Sequence, residues 1–274
     1  MLKKDKTPPK VYISVDMEGI TDVINWGETE EKGHDYRRYR ESMTLEANAA
    51  VEGALEAGAK IVVVRDAHGN ANNLIPEKLH EAALLIRGWS GGPLMMMEGL
   101  DESFDAAVFI GYHAKAGSRD AVLHHTMTGR LTELILNDQA VPELGLNAAI
   151  AGNYGVPVVF VSGDRALIDQ AKELLGQREY VIVKEGIGTA ARNIHPHLSQ
   201  RFIEEGVKKA VRQRDRFEPF ILRPPYTIQL RFIAERDAQK AALIPGSKRT
   251  DNLTVKFSSA DFMDMLKFFY LAIH

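Results

Sequence analysis

Cysteine is absent from this chain of 274 residues. Its absence excludes disulfides, thiolate metal ligands and cysteine nucleophiles, and it fits a reducing compartment. Long apolar runs are also missing, since none approaches the roughly 20 residues that a membrane-spanning helix needs. Residues 1–10 are charged and contain proline, without the apolar core of a signal peptide. We therefore expect a soluble, cytoplasmic protein that does not bind membranes.

The chain lacks an excess of charge of either sign, because its formal net charge is -3. Binding to nucleic acid depends on a basic surface, so this balance argues against a nucleic-acid partner. The hydrophobic fraction of 45% and the charged fraction of 26% are ordinary for a globular protein. A chain of this length buries a large core and forms one large domain or two ordinary ones.

Short apolar, β-branched runs predict strands at residues 11–15, 60–66, 106–111 and 157–163. Helical spacing of apolar residues predicts a helix over residues 36–57, which Gly58 ends. A hairpin at about residues 122–136 and a helix starting near Pro142 follow the third strand. Strands that are apolar throughout and alternate with helices indicate an α/β fold, with a mainly parallel sheet covered by helices on both faces.

The sequence pattern changes after about residue 185. Two helices and two half-exposed strands are predicted beyond it, at residues 199–214, 226–232, 253–257 and 260–273. We therefore expect an α/β domain over residues 1–185, which carries the candidate site described next, and a smaller α+β domain over residues 186–274.

Polar side chains follow the first three predicted strands, at the sheet edge where ligands bind in open α/β folds. The strands end in Asp16-Met17-Glu18, in Asp66-Ala67-His68 and in Gly111-Tyr112-His113. Residues two apart in an extended chain point the same way, and two such carboxylates repel each other unless a proton or cation lies between them. Carboxylate and imidazole ligands without sulfur suit catalytic zinc, manganese or cobalt.

Glu143 is a further candidate ligand, because it follows Pro142 at a predicted helix start, where the helix dipole favours an ionised carboxylate. Five oxygen and nitrogen ligands exceed the needs of one tetrahedral site and suit two metals that share a bridging carboxylate and water. One histidine of the predicted hairpin, His124 or His125, would face inward and act as a general acid or base or stabilise an oxyanion.

Each candidate also has an ordinary structural explanation. An Asp-x-Glu at a strand end often caps a loop, and His68 can bond to the backbone of the turn at residues 69–72. Glu143 by itself is typical of a charge in the first turn of a helix. All of these separate explanations would have to be true together. A single metal site, in contrast, accounts for the common position of the candidate residues at one sheet edge. The convergence therefore favours the metal site.

Several segments together resemble the bacterial zinc-dependent D-aminopeptidases associated with dipeptide transport. The matching segments are SVDMEGI (14–20), RDAHGNANNL (65–74), MEGLDESFDAAVFIGYHAKAG (97–117), HTM (125–127) and PELGLNAAIAG (142–152). The match runs in order from about residue 11 to residue 164 and continues more weakly to the end. Residues 21–33 depart freely from the family pattern, and they could line the substrate entrance.

The resemblance implies two zinc ions per subunit, with Asp16 bridging both. Glu18 and His68 would complete one site, and His113 and Glu143 would complete the other. His125, which precedes Thr126-Met127, would be the catalytic residue. The family's assembly implies a ring-stacked homodecamer whose active sites face an internal channel.

We therefore expect a binuclear zinc aminopeptidase that hydrolyses short peptides with an N-terminal D-amino acid of the D-alanyl type. A metal-activated water would attack the scissile amide, and His125 would move a proton or stabilise the oxyanion, with His124 as its rival. The alternatives are a binuclear amidase or phosphoesterase, or a non-catalytic α/β ligand-binding protein. A phosphoesterase favours cations near the site, for which Arg65 and Lys115 are the candidates.

Overall fold

The computed structural model describes residues 7–274. Residues 1–6, part of the N-terminal segment interpreted above, lie outside the described residues. The strands are β1 (Lys10–Val15), β2 (Ile61–Asp66), β3 (Ala83–Ile86), β4 (Ala106–Tyr112), β5 (Leu131–Leu136), β6 (Gln139–Ala140), β7 (Val158–Asp164), β8 (Glu179–Ile187), β9 (Ala190–Asn193), β10 (Tyr226–Phe232), β11 (Lys248–Arg249) and β12 (Thr254–Ser259).

The helices are α1 (Trp26–Thr29), α2 (Tyr36–Glu56), α3 (Glu143–Asn153), α4 (Arg165–Leu175), α5 (Pro196–Arg212), α6 (Glu235–Ala241) and α7 (Phe262–Ile273). Short 3-10 turns occur at Pro76–Lys78, Met95–Met97 and Arg214–Arg216. Within the part of the chain that the structure describes, no helix combines the length and the apolar character needed to cross a membrane.

The larger sheet has the strand order β3-β2-β1-β4-β7-β8-β9. Its strands run parallel from β3 to β8, and β9 pairs antiparallel with β8 at one edge. The strands β1, β4 and β7 are buried on both faces, which explains their unbroken apolar sequences. The predicted α/β class, with a mainly parallel sheet between helices, is confirmed.

Alternate residues of β1 contact two different parts of the core. Val11, Ile13 and Val15 pack in the layer that α2 and α5 form on one face of the sheet. Tyr12 points to the opposite face, where α3 and α4 pack together with the second sheet and α7. This period of two lets helices pack on both faces. The parallel direction of the strands brings their carboxyl ends to one common edge.

The second sheet is antiparallel and has the order β11-β12-β10-β5-β6. It combines strands from the last quarter of the chain with β5 and β6 from the middle, and its core is continuous with that of the larger sheet. The proposed division into domains at residues 185 and 186 stays a prediction.

The hairpin predicted over residues 122–136 is wrong in its first half. Only β5 is extended there, and its hairpin partner is β6. Leu123 and Met127 have φ values of 55° and 63°, in the left-handed region that a regular strand excludes. His124 and His125 therefore lie in an irregular loop, where strand alternation does not decide which of them faces inward.

Candidate metal centre

The ends of β1 and β4 approach each other closely enough to require glycine. The amide of Asp16 donates to the carbonyl of Ile110 at 2.8 Å, and the amide of Gly19 donates to the carbonyl of Gly111, also at 2.8 Å. A Cβ atom on Gly19 would lie 1.8 Å from the carbonyl oxygen of Tyr112, which no side chain tolerates. These hydrogen bonds hold the segments that follow β1 and β4 side by side.

Asp16 lies between two imidazoles. Its Oδ1 is 3.2 Å from His68 Nδ1, and its Oδ2 is 3.4 Å from His113 Nε2. Glu18 contacts the first imidazole, since its Oε2 is 3.0 Å from His68 Nδ1. The two oxygens of this one carboxylate thus face two separate groups of potential ligand atoms.

The second group forms where α3 begins. Glu143 is the first residue of this helix, after the N-cap Pro142, and its Oε1 lies 3.3 Å from His113 Nε2. The amide of Met127 donates to the same oxygen at 2.5 Å. His113 donates from Nδ1 to the carbonyl of Ala114 at 3.1 Å, which leaves Nε2 directed at the carboxylates.

Backbone contacts orient His68 in the same way. Its Nε2 donates to the carbonyl of Thr29 at 2.9 Å, so Nδ1 faces Asp16 and Glu18. Asp66 organises the following turn by accepting from the amides of Asn73 and Leu74 at 2.5 and 2.7 Å. In metal sites, the ring nitrogen of a histidine that does not bind the metal typically donates a hydrogen bond, which fixes the orientation of the ring.

The side chains of the cluster shift each other's pKa values, because several ionisable groups are buried together. Burial and the neighbouring Glu18 raise the pKa of Asp16 to about 8. Burial opposes the charge on His113, but Glu143 and Asp16 raise the pKa of this imidazole to about 10. Burial likewise opposes the charge on His68, whose pKa Glu18 and Asp16 raise well above its ordinary value. Protons on the imidazoles thus balance the carboxylates, and a divalent cation can replace them as the balancing charge.

The atoms of the cluster fit a divalent metal. Asp16 Oδ2, Glu18 Oε2 and His113 Nε2 are buried without a hydrogen-bond partner of suitable geometry. Ligand atoms of Asp16, Glu18 and His68 lie within 4.8 Å of one another, and those of His113, His125 and Glu143 do the same. Oxygen and nitrogen donors without sulfur suit zinc in a catalytic setting. The structure thus brings together all five residues predicted as ligands.

His125 joins the cluster from the irregular loop. Its ring stacks on that of His113, with centroids 4.1 Å apart and planes at 6°. Nδ1 donates to the carbonyl of Leu123 at 2.8 Å, and Nε2 lies 3.5 Å from Glu143 Oε1. Burial and the neighbouring His113 lower the pKa of His125 below its ordinary value, which favours a neutral imidazole with Nε2 free to accept a proton.

His124 points elsewhere. It is exposed, its Nδ1 accepts from the amide of Gly117 at 3.1 Å, and it is not part of the wall of the cavity above the cluster. The geometry therefore favours His125 over His124 for any role at the cluster.

A cavity of about 860 Å³ opens above the cluster. Residues 26 and 29–31 form part of its wall, as expected for the departing segment 21–33. Within the described part of the chain, its wall includes Glu30 and Glu31 but no lysine or arginine. Arg65 is fully buried and is not part of this wall; it donates to the carbonyl of Gly88 at 2.6 Å.

Sequence reasoning missed the residues that hold the ligand loops. Lys184 is buried, and its ammonium group donates to the carbonyls of Glu18, Ile20 and Val23, the last two at 3.1 and 2.5 Å. Burial lowers the pKa of Lys184 to about 8. The one available signal was a lysine inside the apolar strand β8, which by itself is equally typical of a half-exposed strand.

The α/β fold and the buried cluster of carboxylates and imidazoles are typical of a metal-dependent hydrolytic enzyme. Residues 10–271 match a family described as D-aminopeptidase, Peptidase M55. The chain therefore belongs to the D-aminopeptidase family.

A similar sequence and a similar solved structure agree with this assignment. A D-aminopeptidase of Bacillus subtilis (strain 168) is 38% identical over 259 residues, which cover 93% of each chain. A solved structure, described as the Zn-dependent D-aminopeptidase DppA from Bacillus subtilis, a self-compartmentalizing protease, superposes with a TM-score of 0.92. Its sequence identity is 35%, over 97% of this chain and 98% of that one.

Proposed function

We propose that this enzyme uses two zinc ions per subunit to hydrolyse short peptides that begin with a D-amino acid of the D-alanyl type. The observation that carries the proposal is the position of Asp16 between two buried groups of ligand atoms. Glu18 and His68 would hold one ion, and His113 and Glu143 would hold the other, with Asp16 shared. The zinc dependence of DppA, as described for that protein, supports the choice of metal.

When bound, a pair of divalent cations supplies Lewis acidity and lowers the pKa of a coordinated water. The chain's own contribution to proton movement is His125. Its Nδ1 proton is committed to the Leu123 carbonyl, so Nε2 accepts a proton at the cluster and can return it to the leaving amine. Its stacking on His113 keeps the ring in this orientation.

The cavity wall supports a substrate with a free amino terminus. The wall of the cavity carries Glu30 and Glu31, so its field attracts a substrate with a peptide ammonium group and repels the phosphate of a phosphoester. The cations Arg65 and Lys115, considered above for phosphate binding, do not line the cavity. The charge of the site therefore favours peptide over phosphoester substrates.

The experiment combines elemental analysis with assays on matched peptides. Protein purified with zinc is expected to contain two zinc ions per subunit and to cleave D-alanyl-D-alanine faster than L-alanyl-L-alanine. Incubation with a chelator should abolish cleavage, and added zinc should restore it. Zinc-loaded protein that cleaves neither peptide, or both at the same rate, would contradict the proposal.

We further propose that the subunits assemble into a closed homo-oligomer, a homodecamer in the finer form of the proposal. The support is the description of DppA as a self-compartmentalizing protease, together with the similarity of the two folds. Light scattering coupled to size-exclusion chromatography measures the mass directly. A mass of one or two subunits of 30.5 kDa would contradict this assembly.

A further inference from the structure

Both tryptophans of the chain lie in the wall of the cavity above the metal ligands. Trp26 and Trp89 are each 44% exposed, and both line the cavity. Large aromatic surfaces left open in a cavity next to polar catalytic groups are typical of substrate contacts. The two side chains nevertheless have different neighbours, which assigns them different roles.

Trp26 contacts the proposed catalytic histidine directly. The ring of Trp26 meets the imidazole of His125 edge to face, with centroids 5.2 Å apart and planes at 70°. The Nε2 atom of His125 is 3.9 Å from Glu18 and 3.5 Å from Glu143. The indole therefore lies within about two residues' length, at roughly 3.8 Å per residue, of the place where the scissile amide must lie.

The helix that carries Trp26 is capped at its start and attached to the cluster at its end. Glu28 accepts from the amides of Ile24 and Asn25 at 2.5 and 3.1 Å, and the carbonyl of Thr29 accepts from His68. The indole is thus held in one position relative to both groups of metal ligands. A preorganised surface of this kind contributes binding energy without the cost of ordering a loop.

Burial decreases from the cluster outwards, which determines the residue of the substrate that Trp26 meets. Asp16 and His113 are 2% and 1% exposed, whereas Trp26 is 44% exposed. An aminopeptidase holds the free amino terminus at the closed end of its site, so the rest of the peptide extends towards the opening. The residue that follows the scissile bond therefore lies against Trp26.

We propose that Trp26 is a specificity-determining residue that binds an apolar side chain at the second position of the peptide. This inference rests on the proposed aminopeptidase function and adds the substrate preference at that position. Trp89 does not have this role, because its indole donates to the Gly69 carbonyl at 2.9 Å and packs under the guanidinium of Arg65 instead of against His125.

The kinetic test keeps D-alanine first and varies the second residue among glycine, D-alanine, D-leucine and D-phenylalanine. The wild type is expected to prefer the larger apolar residues in kcat/KM. Trp26→Ala should reduce the ratio of D-phenylalanine to glycine substrates about tenfold or more, mainly through KM, as expected for a lost apolar contact. Trp26→Phe should retain most of the preference, because an aromatic surface remains.

Trp89→Ala is the matched control, since it removes an equally exposed indole from the same cavity. Its D-phenylalanine to glycine ratio should stay within about threefold of the wild type. Zinc content is measured for every variant, so that loss of folding is not mistaken for loss of preference. A Trp26→Ala enzyme that retains zinc and the full preference would overturn the inference, as would a loss of preference in Trp89→Ala alone.

A binding measurement tests the same contact without turnover. In a Trp89→Phe variant, Trp26 is the single remaining tryptophan, so its fluorescence reports on this part of the wall alone. N-acetyl-D-phenylalanine lacks a free amine and imitates the second residue. It should change the emission in a saturable way, whereas N-acetylglycine should not, and equal or absent responses would count against the contact.

The two proposals fail in different ways. If the zinc-loaded wild type cleaves none of these peptides, the proposed aminopeptidase function is wrong. If it cleaves them, but with a preference that does not depend on residue 26, only the role of Trp26 is wrong.

Discussion

At the scale of single residues, the centre depends on side chains whose charges are acceptable only together. Asp16, Glu18 and Glu143 are nearly fully buried, and His68 and His113 connect them through contacts of 3.0 to 3.4 Å. Buried carboxylates that close repel each other unless protons or cations balance them. His68 and His113 supply nitrogens that can carry those protons or bind the cations that replace them. Metal binding and the ionisation of the cluster are therefore linked.

Replacing Asp16 with alanine should affect both proposed metal sites, because its two oxygens face different imidazoles. We expect less than one zinc ion per subunit and a loss of activity of about a thousandfold or more, since bound metal ions contribute several kcal/mol to such reactions. Elemental analysis and a peptide assay measure the two effects. Full zinc content in the variant would exclude a bridging role for Asp16.

Replacing His125 with alanine should separate chemistry from metal binding. We expect turnover to decrease about 10²- to 10⁴-fold, the range for loss of a general acid or base. Zinc should remain at the wild-type content, because the five proposed ligands are intact. His124→Ala is the matched control, since this neighbouring imidazole is exposed outside the cavity. Normal activity in His125→Ala would end the assignment.

At the scale of elements, buried charged side chains attach residues 18–23, the segment that follows β1, to helices and strands distant in sequence. Glu46 on α2 accepts from the amide of Thr21 at 3.2 Å and from the hydroxyl of Ser199 on α5 at 2.6 Å. Lys184 on β8 holds the carbonyls of the same segment. The helix α1 then follows, with Thr29 against His68 and Trp26 against His125.

Glu46 should make the stability of the protein depend on pH. Burial raises its pKa in the folded state to about 7, above the ordinary value of 4.5. Between these values the folded protein retains a proton that the unfolded chain has released, so this group's contribution to stability falls as pH rises from about 4.5 to 7. Glu46→Gln cannot ionise, and at pH 8 it should have a free energy of unfolding about 1–3 kcal/mol above that of the wild type.

Urea unfolding at several pH values measures this difference, which should vanish near pH 4.5. Comparison with the wild type under the same conditions cancels the titration of the proposed metal ligands. Glu41→Gln is a control on the same helix, because Glu41 is half-exposed and pairs with Lys78. A Glu46→Gln variant less stable than the wild type at pH 8 would mean that the ionised carboxylate stabilises the fold.

At the scale of the whole molecule, the proposed metals would connect the strand ends of the sheet with the start of α3. A ligand that binds only the folded state stabilises it by about 2.7 kcal/mol at a hundredfold excess over its dissociation constant. For a chain of this size, that corresponds to roughly 5–10 °C in Tm. Chelation should therefore lower the Tm of wild-type protein by about this amount, as measured by calorimetry.

The Asp16→Ala variant controls for effects of the chelator itself. Its Tm should not respond to chelation, because the shared ligand is missing. An equal decrease in the variant and the wild type would show that the chelator acts elsewhere than at this cluster.

The core strands and the edge at which they end could be predicted from sequence, because their apolar runs are buried on both faces whatever the detailed packing. The predicted runs ending at Asp16, Asp66 and Gly111 agree with β1, β2 and β4 to within one residue. The loop at residues 122–130 was mispredicted because its backbone follows contacts with residues distant in sequence. The amide of Met127, for example, is held by Glu143.

The amino-acid sequence alone determined the α/β class and the set of carboxylates and imidazoles at one sheet edge, because hydrophobic periodicity and strand direction are local properties. Tertiary structure decided which of the adjacent histidines faces the cluster, that β5 and β6 join the second sheet, and that Trp26 and Lys184 belong to the site. Those outcomes depend on contacts between residues far apart in the chain. Local patterns carry no information about such contacts, since the direction of a side chain in an irregular loop is set by whatever packs against it.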